Sequence, residues 1–459
     1  MKKIKLPKEE IKFHLFLHIL IAVFVTIASY VHLPFGRLKG NFVYFAHFLL
    51  LHFSLFGFIY FFSLFHRVFK LVFPFLFIIA STFSFWVYTQ DLTIGLGTIQ
   101  GIFGTNVGEA TDMFSYQFIL FVLFSSLSIL FFLKKQYKLQ KSSIKSPLFV
   151  LSIFGVLTFF IVENYKFDAF KNRLPYSIYF STVKYFQKPN IKLKEVKEQV
   201  YTEEDNLHII IVVGESVRAD HLSLNGYDRI TNPLLSKQDN LVSFANVYTP
   251  YTFTAQSLPH ILTDKSINNK EKKQTVTSLY SVLNKASFST EWIGNQTLEK
   301  SYRDIIYSNK KKVIIDKFHS FLSFKKEKDL ALLRYFSAND SFKGNKLTSL
   351  HMIGSHWYYN SRVDSSFYRF NPVISSKYLG SLKKEELINS YDNTIVYLDY
   401  FLNELIEKLK ISSKKTLLIY ISDHGETLGE DGKWLHAQEH NASKNPAMLV
   451  WYSDNFKSN

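Results

Sequence analysis

Leu207-His-Ile-Ile-Ile-Val-Val-Gly-Glu-Ser216 decides how the second half of this chain is read. A short β-branched run closed by Gly214 has the pattern of a strand buried on both faces, with an acidic residue placed directly at its end. Runs of the same kind recur at 347–353 and 416–421. Between these two runs, over 383–410, Leu387, Ile388, Tyr391, Ile395, Leu398, Leu402, Leu405 and Ile406 return at helical spacing. Strands alternating with helices predict an α/β domain with a mainly parallel, doubly wound sheet. Ligands of such sheets bind beyond the carboxyl ends of the strands. The three ends here read Gly214-Glu-Ser216, His351-Met-Ile-Gly-Ser-His356 and Ser422-Asp-His-Gly-Glu426, which bring Glu215, His351, His356, Asp423 and His424 toward one edge. Carboxylate oxygen mixed with imidazole nitrogen suits Zn²⁺ or Mn²⁺. Spacing alone leaves both a metal site and a set of structural Asp–His contacts open.

Upstream of this domain the chain is a different material. Of 459 residues, 46 are Phe and 27 Tyr, and the net charge is +16. Up to Tyr165 there are 14 Lys/Arg and 6 Asp/Glu, and beyond it 40 and 32, so each part carries +8. In the first part that charge lies in short clusters between charge-free windows at 13–36, 40–66, 71–90, 113–133 and 146–162. A bilayer core needs about 17–25 apolar residues per helix, so five spans are expected. A sixth window, 92–108, contains Gly95, Gly97, Gly101, Gly104 and Gly108, and is read as an interfacial or re-entrant segment. The first window exceeds a signal-peptide core and has no small-residue cleavage site, so it is expected to be retained.

The basic clusters set the orientation. Lys2, Lys3, Lys5, Lys8 and Lys12 precede the first window. Arg67 and Lys70 follow the second, and Lys134, Lys135, Lys138, Lys141 and Lys145 follow the fourth. Positive charge collects on the cytoplasmic side, which puts the N-terminus inside and everything after Tyr165 outside. The organisation expected is therefore a transmembrane domain over 1–165 with a periplasmic segment at about 91–112, an amphipathic linker over 166–202, and a soluble domain over 203–459. The basicity is read as an attraction to anionic lipid rather than to nucleic acid, for which no motif is present. With no Cys there are no disulfides and no thiolate metal ligands.

Val213-Gly-Glu-Ser-Val-Arg-Ala-Asp-His-Leu-Ser-Leu-Asn-Gly-Tyr227 with Thr231-Asn-Pro233 resembles the signature of the phosphoethanolamine transferases, inner-membrane enzymes of the alkaline phosphatase/sulfatase superfamily. Thr252-Phe-Thr-Ala-Gln-Ser-Leu-Pro259, 351–356, Asn389-Ser-Tyr-Asp-Asn-Thr394, and Ser422-Asp-His-Gly-Glu-Thr-Leu-Gly429 with His436 agree in order and spacing. The resemblance implies a five-span membrane domain followed by a sulfatase-like catalytic domain in the periplasm of a Gram-negative cell. It implies that Thr254 is the nucleophile and that Glu215, Asp423, His424 and the Thr254 oxygen hold Zn²⁺, with Mn²⁺ as the alternative. A threonine hydroxyl is a poor nucleophile at neutral pH, and coordination lowers its pKa.

His356 and His436 match histidines lining the phosphate pocket and are assigned catalytic roles, with His351 a substrate-binding residue of the same kind. Thr297 and Lys300, in Trp292-Ile-Gly-Asn-Gln-Thr-Leu-Glu-Lys300, match a loop beside the substrate phosphate. Thr105 and Glu109 match a pair that grips the ethanolamine headgroup. The implied reaction moves phosphoethanolamine from phosphatidylethanolamine to lipid A or lipopolysaccharide core through a threonine-bound intermediate.

The chain departs from the family pattern in several places. It has Gly101 for a usual Asn, Pro250 and His260 for a disulfide pair, Lys444-Asn-Pro-Ala447 for a Thr-His-Val-Pro motif, and an end at Asn459 where relatives continue. Two alternatives stand beside the implied activity: a phosphoglycerol transferase, and a lipid-binding or sensor protein that has lost turnover. A sulfatase is disfavoured, because the chain has no Cys and Ser257-Leu-Pro-His260-Ile lacks the Arg of the formylglycine frame.

Overall fold

The computed structural model describes residues 7–457 apart from 105–106, 140, 167, 189, 268–274, 316–326, 339–342 and 437, with backbone only for 107–109. The chain forms two compact units, Met1–Ile99 with Ser115–Gln187, and Gln100–Phe114 with Lys188–Asn459. Residues 100–114 thus group with the second unit rather than with the apolar helices, and the segment expected as a linker is divided after Gln187.

Among the described residues the first unit holds five helices long and apolar enough to cross a membrane: Lys8–Ser29, Leu38–Ser63, His66–Gln90, Tyr116–Leu139 and Pro147–Tyr165. Their α-helical parts are α1 (Lys8–Ile21, continued by a π turn and a 3₁₀ turn), α2 (Leu38–Ser63), α3 (His66–Gln90), α6 (Tyr116–Gln136) and α7 (Pro147–Tyr165). The Gly-rich window forms two short helices, α4 (Leu96–Gly104) and α5 (Val107–Asp112), and α8 (Tyr176–Gln187) lies in the expected linker.

Lipid tails are as apolar as leucine, so close backbone approach and hydrogen bonds must hold these helices together. At the contact of α2 with α7, a Cβ on Gly155 would lie 2.5 Å from the Phe53 carbonyl oxygen and 3.0 Å from Gly57 Cα. One face of the first helix carries Glu10, His14, His18, Thr26 and Tyr30, and each is matched. Tyr60 donates to Glu10 (2.6 Å), His14 meets Ser142 (3.1 Å), His18 meets His52 (3.2 Å), Thr26 meets His52 (2.7 Å) and Tyr30 meets His47 (2.6 Å).

Among the described residues of the second unit, seven strands form one sheet. They are β1 (Leu207–Gly214), β2 (Leu241–Phe244), β3 (Ser289–Gly294), β4 (Lys311–Ile314), β5 (Lys346–His351), β6 (Lys415–Ser422) and β7 (Met448–Tyr452), in the order β2-β7-β6-β1-β5-β3-β4. The strands from β6 to β4 run parallel, and β7 is antiparallel to both its neighbours, β6 and β2, so that β7 alone is reversed among the seven. Period-2 alternation along β1 sends Ile210 and Val212 to one face and Ile211 and Val213 to the other. The first pair packs with Leu398, Leu402 and Leu405 of α10 (Lys384–Lys410), and the second with Leu258, Leu262, Tyr280 and Trp292. Burial on both faces is what the unbroken β-branched run anticipates.

Register makes the strand ends flush. Gly214 pairs with Ser422, Val213 with His351, and Gly294 with His351. The expected strand over 347–353 stops at His351. Beyond it the N–H groups of Ile353 and Gly354 turn to the buried Asp329 carboxylate, at 2.9 Å each, instead of continuing a ladder. Gly354 has φ +52°, and a Cβ there would lie 2.7 Å from the Glu215 carbonyl oxygen, so this turn can lie against Glu215 only as glycine.

Candidate active site

Flush strand ends put Glu215, Asp423 and the loop to His356 side by side. Thr254 comes from elsewhere, as the first residue of α9 (Thr254–Ile261), where leading N–H groups and the helix dipole favour a phosphoryl group. Its hydroxyl donates to Glu215 Oε2 at 2.8 Å. His424 Nε2 lies 3.3 Å from Glu215 Oε1 and 3.3 Å from Asp423 Oδ2. His424 Nδ1 is 2.8 Å from the Gly425 carbonyl oxygen, which can only accept. That contact places a proton on Nδ1 and turns Nε2 to the two carboxylates.

Supporting contacts hold this set in place. Ser216, at φ +60°, donates its N–H to Asp423 Oδ1 (3.2 Å) and its hydroxyl to Glu215 Oε1 (2.9 Å). The His424 N–H also donates to Asp423 Oδ1, at 2.8 Å. Tyr391 of the Asn389–Thr394 motif donates to the Ser216 carbonyl at 2.7 Å, and Asp392 takes His221 (2.7 Å) and Arg229 (2.9 Å). That motif is therefore a structural hub for the signature segment rather than a source of reacting groups.

The electrostatics of the trio are those of a cation site. Glu215, Asp423 and His424 are each 1% exposed. Burial opposes charge on Glu215, yet the hydrogen bond and charge of His424 hold its carboxyl well below the usual range. Burial and then the neighbouring Glu215 charge push Asp423 up to about 7. Burial would depress His424, but the charges of Asp423 and Glu215 reverse this and push it up to about 10. Asp423 Oδ2 is buried without a hydrogen-bond partner. A buried carboxylate oxygen left so is costly unless a cation meets it. The ligand atoms of Glu215, Asp423 and His424 lie within 4.8 Å of one another. Their mixed N/O donor set fits a divalent metal, and the Thr254 oxygen stands at the same carboxylate.

A cavity opens over Thr254, and His356, His436, Thr297, Gln296, Glu299 and Gly101 are among the residues that line it. The His436 ring lies 5.9 Å from His424 and 5.1 Å from His356, so both expected catalytic histidines stand beside the cluster. His356 Nδ1 donates to the Trp357 carbonyl at 2.7 Å. His351 and Lys300 do not line the cavity: His351 is wholly buried, its ring 5.2 Å from Trp292, because its parity at the end of β5 turns it into the core, and Lys300 is half-buried beyond Glu299. Thr105 lies outside the described residues, and Glu109 is described only as backbone within α5.

Three residues not singled out by sequence reasoning belong here. Gln296 bridges Glu215 Oε2 (3.3 Å) and the Met352 carbonyl (2.7 Å). Glu299, 4% exposed, holds Ser301 with Oε2 and leaves Oε1 buried without a hydrogen-bond partner. Glu426 is wholly buried, its carboxyl raised well above the usual range by burial, 4.0 Å from His436. Gln296 and Glu299 directly follow β3, so the strand-end rule applied to a fourth strand would have found them.

A parallel sheet whose strand ends assemble two carboxylates and an imidazole around a threonine on a helix N-terminus defines a class. The family model described as Sulfatase matches residues 208–459, and the chain belongs to the sulfatase family. A second model, described as phosphoethanolamine transferase EptA/EptB, matches residues 51–189. It is 34% identical over 260 residues to the phosphoethanolamine transferase EptA of Escherichia coli K12, covering 54% of this chain and 47% of the relative. It is 31% identical over 243 residues to the phosphatidylethanolamine transferase Mcr-1 of Escherichia coli, covering 50% and 44%. The chain thus spans about half the length of the curated relatives it matches. In fold it is similar to the integral membrane lipooligosaccharide phosphoethanolamine transferase A of Neisseria meningitidis, with a TM-score of 0.80, 20% identity, and coverage of 97% of this chain and 89% of that one.

Proposed function

We propose that this protein transfers phosphoethanolamine from phosphatidylethanolamine to lipid A or lipopolysaccharide core, on the periplasmic side of a Gram-negative inner membrane. The observation that carries the reading is the Thr254 hydroxyl, held 2.8 Å from Glu215 Oε2 beside Asp423 Oδ2, which accepts no hydrogen bond and has the His424 ring at 3.3 Å. Thr254 Oγ1 attacks the phosphorus of the donor while its proton leaves along the hydrogen bond toward Glu215. The P–O bond to diacylglycerol breaks, and the departing oxygen takes a proton from His356 or His436. A hydroxyl of the acceptor, passing its proton to the same histidine, or an acceptor phosphate oxygen, the histidine then taking its proton from solvent, attacks the phosphorus of the phosphoethanolamine–threonine intermediate. The P–O bond to Thr254 breaks, and Thr254 Oγ1 recovers its proton from Glu215. Glu215, Asp423, His424 and the Thr254 oxygen would hold Zn²⁺, whose charge would lower the hydroxyl pKa and offset the phosphoryl oxygens.

Glu299 favours ethanolamine over glycerol as the transferred headgroup. Its free Oε1 in the cavity wall needs a cation or donor, and a primary ammonium is both. Thr254→Ala tests the reading. Mass spectrometry of lipid A and core from cells making the wild-type chain should show one added phosphoethanolamine, absent with the variant. Modification that persists with Thr254→Ala removes the nucleophile, and modification by another group removes the donor.

A further inference from the structure

The first unit contains a cavity of about 540 Å³ at one end of its helices. Its walls come from Ser29 and Tyr30 at the end of the first helix, Val43, Tyr44 and His47 in the first half of α2, Asp91 at the end of α3, and Lys166 and Asp168 to Ser177 beyond α7. All of these lie at the helix ends away from the Lys and Arg clusters. Four charged side chains line the cavity, Asp91, Asp168, Lys166 and Arg173, two of each sign. Arg173 is fixed by its bond to the Ser29 carbonyl and by the Tyr30 ring at 5.2 Å, and Tyr30 is itself held by His47 at 2.6 Å. Glu163 accepts the N–H groups of Asp168 (3.1 Å), Phe170 (2.6 Å) and Lys171 (3.0 Å), so the loop carrying Asp168 is tied down.

Both aspartates stand in left-handed backbone, Asp91 at φ +52° and Asp168 at φ +59°, a conformation that costs free energy away from glycine. Asp168 Oδ1 is buried without a hydrogen-bond partner, and its other oxygen has Lys184 only at 3.9 Å. A cavity at a helix-bundle end with fixed anionic and cationic walls matches a zwitterion. Lys166 and Arg173 suit a phosphodiester, and Asp91 and Asp168 suit an ammonium that can donate hydrogen bonds.

We propose that this cavity is a phospholipid headgroup site that selects a zwitterionic headgroup with a primary ammonium, separate from the cavity over Thr254. The proposal stands on the lining charges and does not depend on the reaction assigned to Thr254. The full chain is placed in phosphatidylcholine liposomes with a phosphatidylethanolamine carrying a diazirine on the glycerol-proximal acyl carbons, and adducts are mapped by peptide mass spectrometry. Labelling is expected in 29–47, 87–94 or 166–177, competed at least fivefold better by unlabelled phosphatidylethanolamine than by phosphatidylglycerol. Asp91→Asn and Asp168→Asn should each erase that preference. Asn tolerates left-handed backbone as Asp does, so the charge alone is lost. If Asp168→Asn does not fold, Asp91→Asn, whose side chain is exposed, decides the matter. Adducts confined to peptides around Thr254 and Thr297, or equal competition by the two lipids, would overturn the proposal. Thr254→Ala should leave this labelling unchanged, so losing the reaction and losing the site are separate results.

Discussion

Replacing Asp112 by Asn removes one charge from a cluster that ties α5 to the strand-end loops. Arg362, 2% exposed, donates Nη2 to Asp112 Oδ2 at 2.8 Å, Ser361 donates to the same oxygen at 3.1 Å, and Lys377 reaches Oδ1 at 3.2 Å. The same guanidinium donates to the carbonyls of His356 (2.9 Å) and Trp357, so Asp112 is one hydrogen-bond step from the backbone of an expected catalytic residue. Breaking a buried ion pair from one side costs about 3–5 kcal/mol. Here Asn keeps one acceptor oxygen, Arg362 keeps two carbonyls and Lys377 is partly solvated, which lowers the cost to about 2–3 kcal/mol. At about 1.4 kcal/mol per tenfold, that is a roughly 30- to 150-fold loss of protection for the docked segment. Hydrogen exchange by mass spectrometry should find this loss in the peptide covering 107–114, with β1 and β6 unchanged. A change below threefold there, or an equal loss across the sheet, would refute the view that Asp112 docks this segment locally.

Glu299→Gln keeps the shape of the cavity wall and removes its charge. Transfer from phosphatidylethanolamine should fall roughly 10- to 150-fold, as for loss of a charged hydrogen bond, while zinc content holds; equal activity would assign Oε1 no part in headgroup recognition. Metal binding should strengthen with pH. The metal must displace the proton on His424, pushed up to about 10, and below pH 7 also one on Asp423, pushed up to about 7. Calorimetric zinc affinity of the full chain should therefore rise about tenfold per unit between pH 7 and 9, and more steeply below 7; a flat profile contradicts these proton positions. In the membrane unit, Gly155→Ala puts a Cβ 2.5 Å from the Phe53 carbonyl, against backbone that can yield only if α2 and α7 separate. The cost should be about 1–3 kcal/mol, read as a lower midpoint in thermal unfolding of the detergent-solubilised chain. Gly40→Ala, whose Cβ would meet only Tyr44 at 4.0 Å, is the control that should be neutral.

Much of this protein is legible in its sequence because the signals are local. Five charge-free windows mark the apolar helices, since a span must satisfy its own backbone and carry few charges wherever it packs. The run 207–213 marks a doubly buried strand, and the polar residues after Gly214 and Ser422 fall at the edge where a parallel sheet binds its ligands. Tertiary structure decided what depends on parity and register. His351 and His356 are five residues apart in one motif, yet the first points into the core against Trp292 and the second lines the cavity. The side a strand-end residue takes follows from which face packs first, and the turn at Gly354 resets it. Gln296 and Glu299 acquire their surroundings only because β3 lies beside β5 with Gly294 opposite His351. Asp112 meets Arg362 across 250 positions of chain, a pairing that no local pattern encodes. Composition and periodicity report what each segment needs from its surroundings; which segment supplies it is settled by long-range packing.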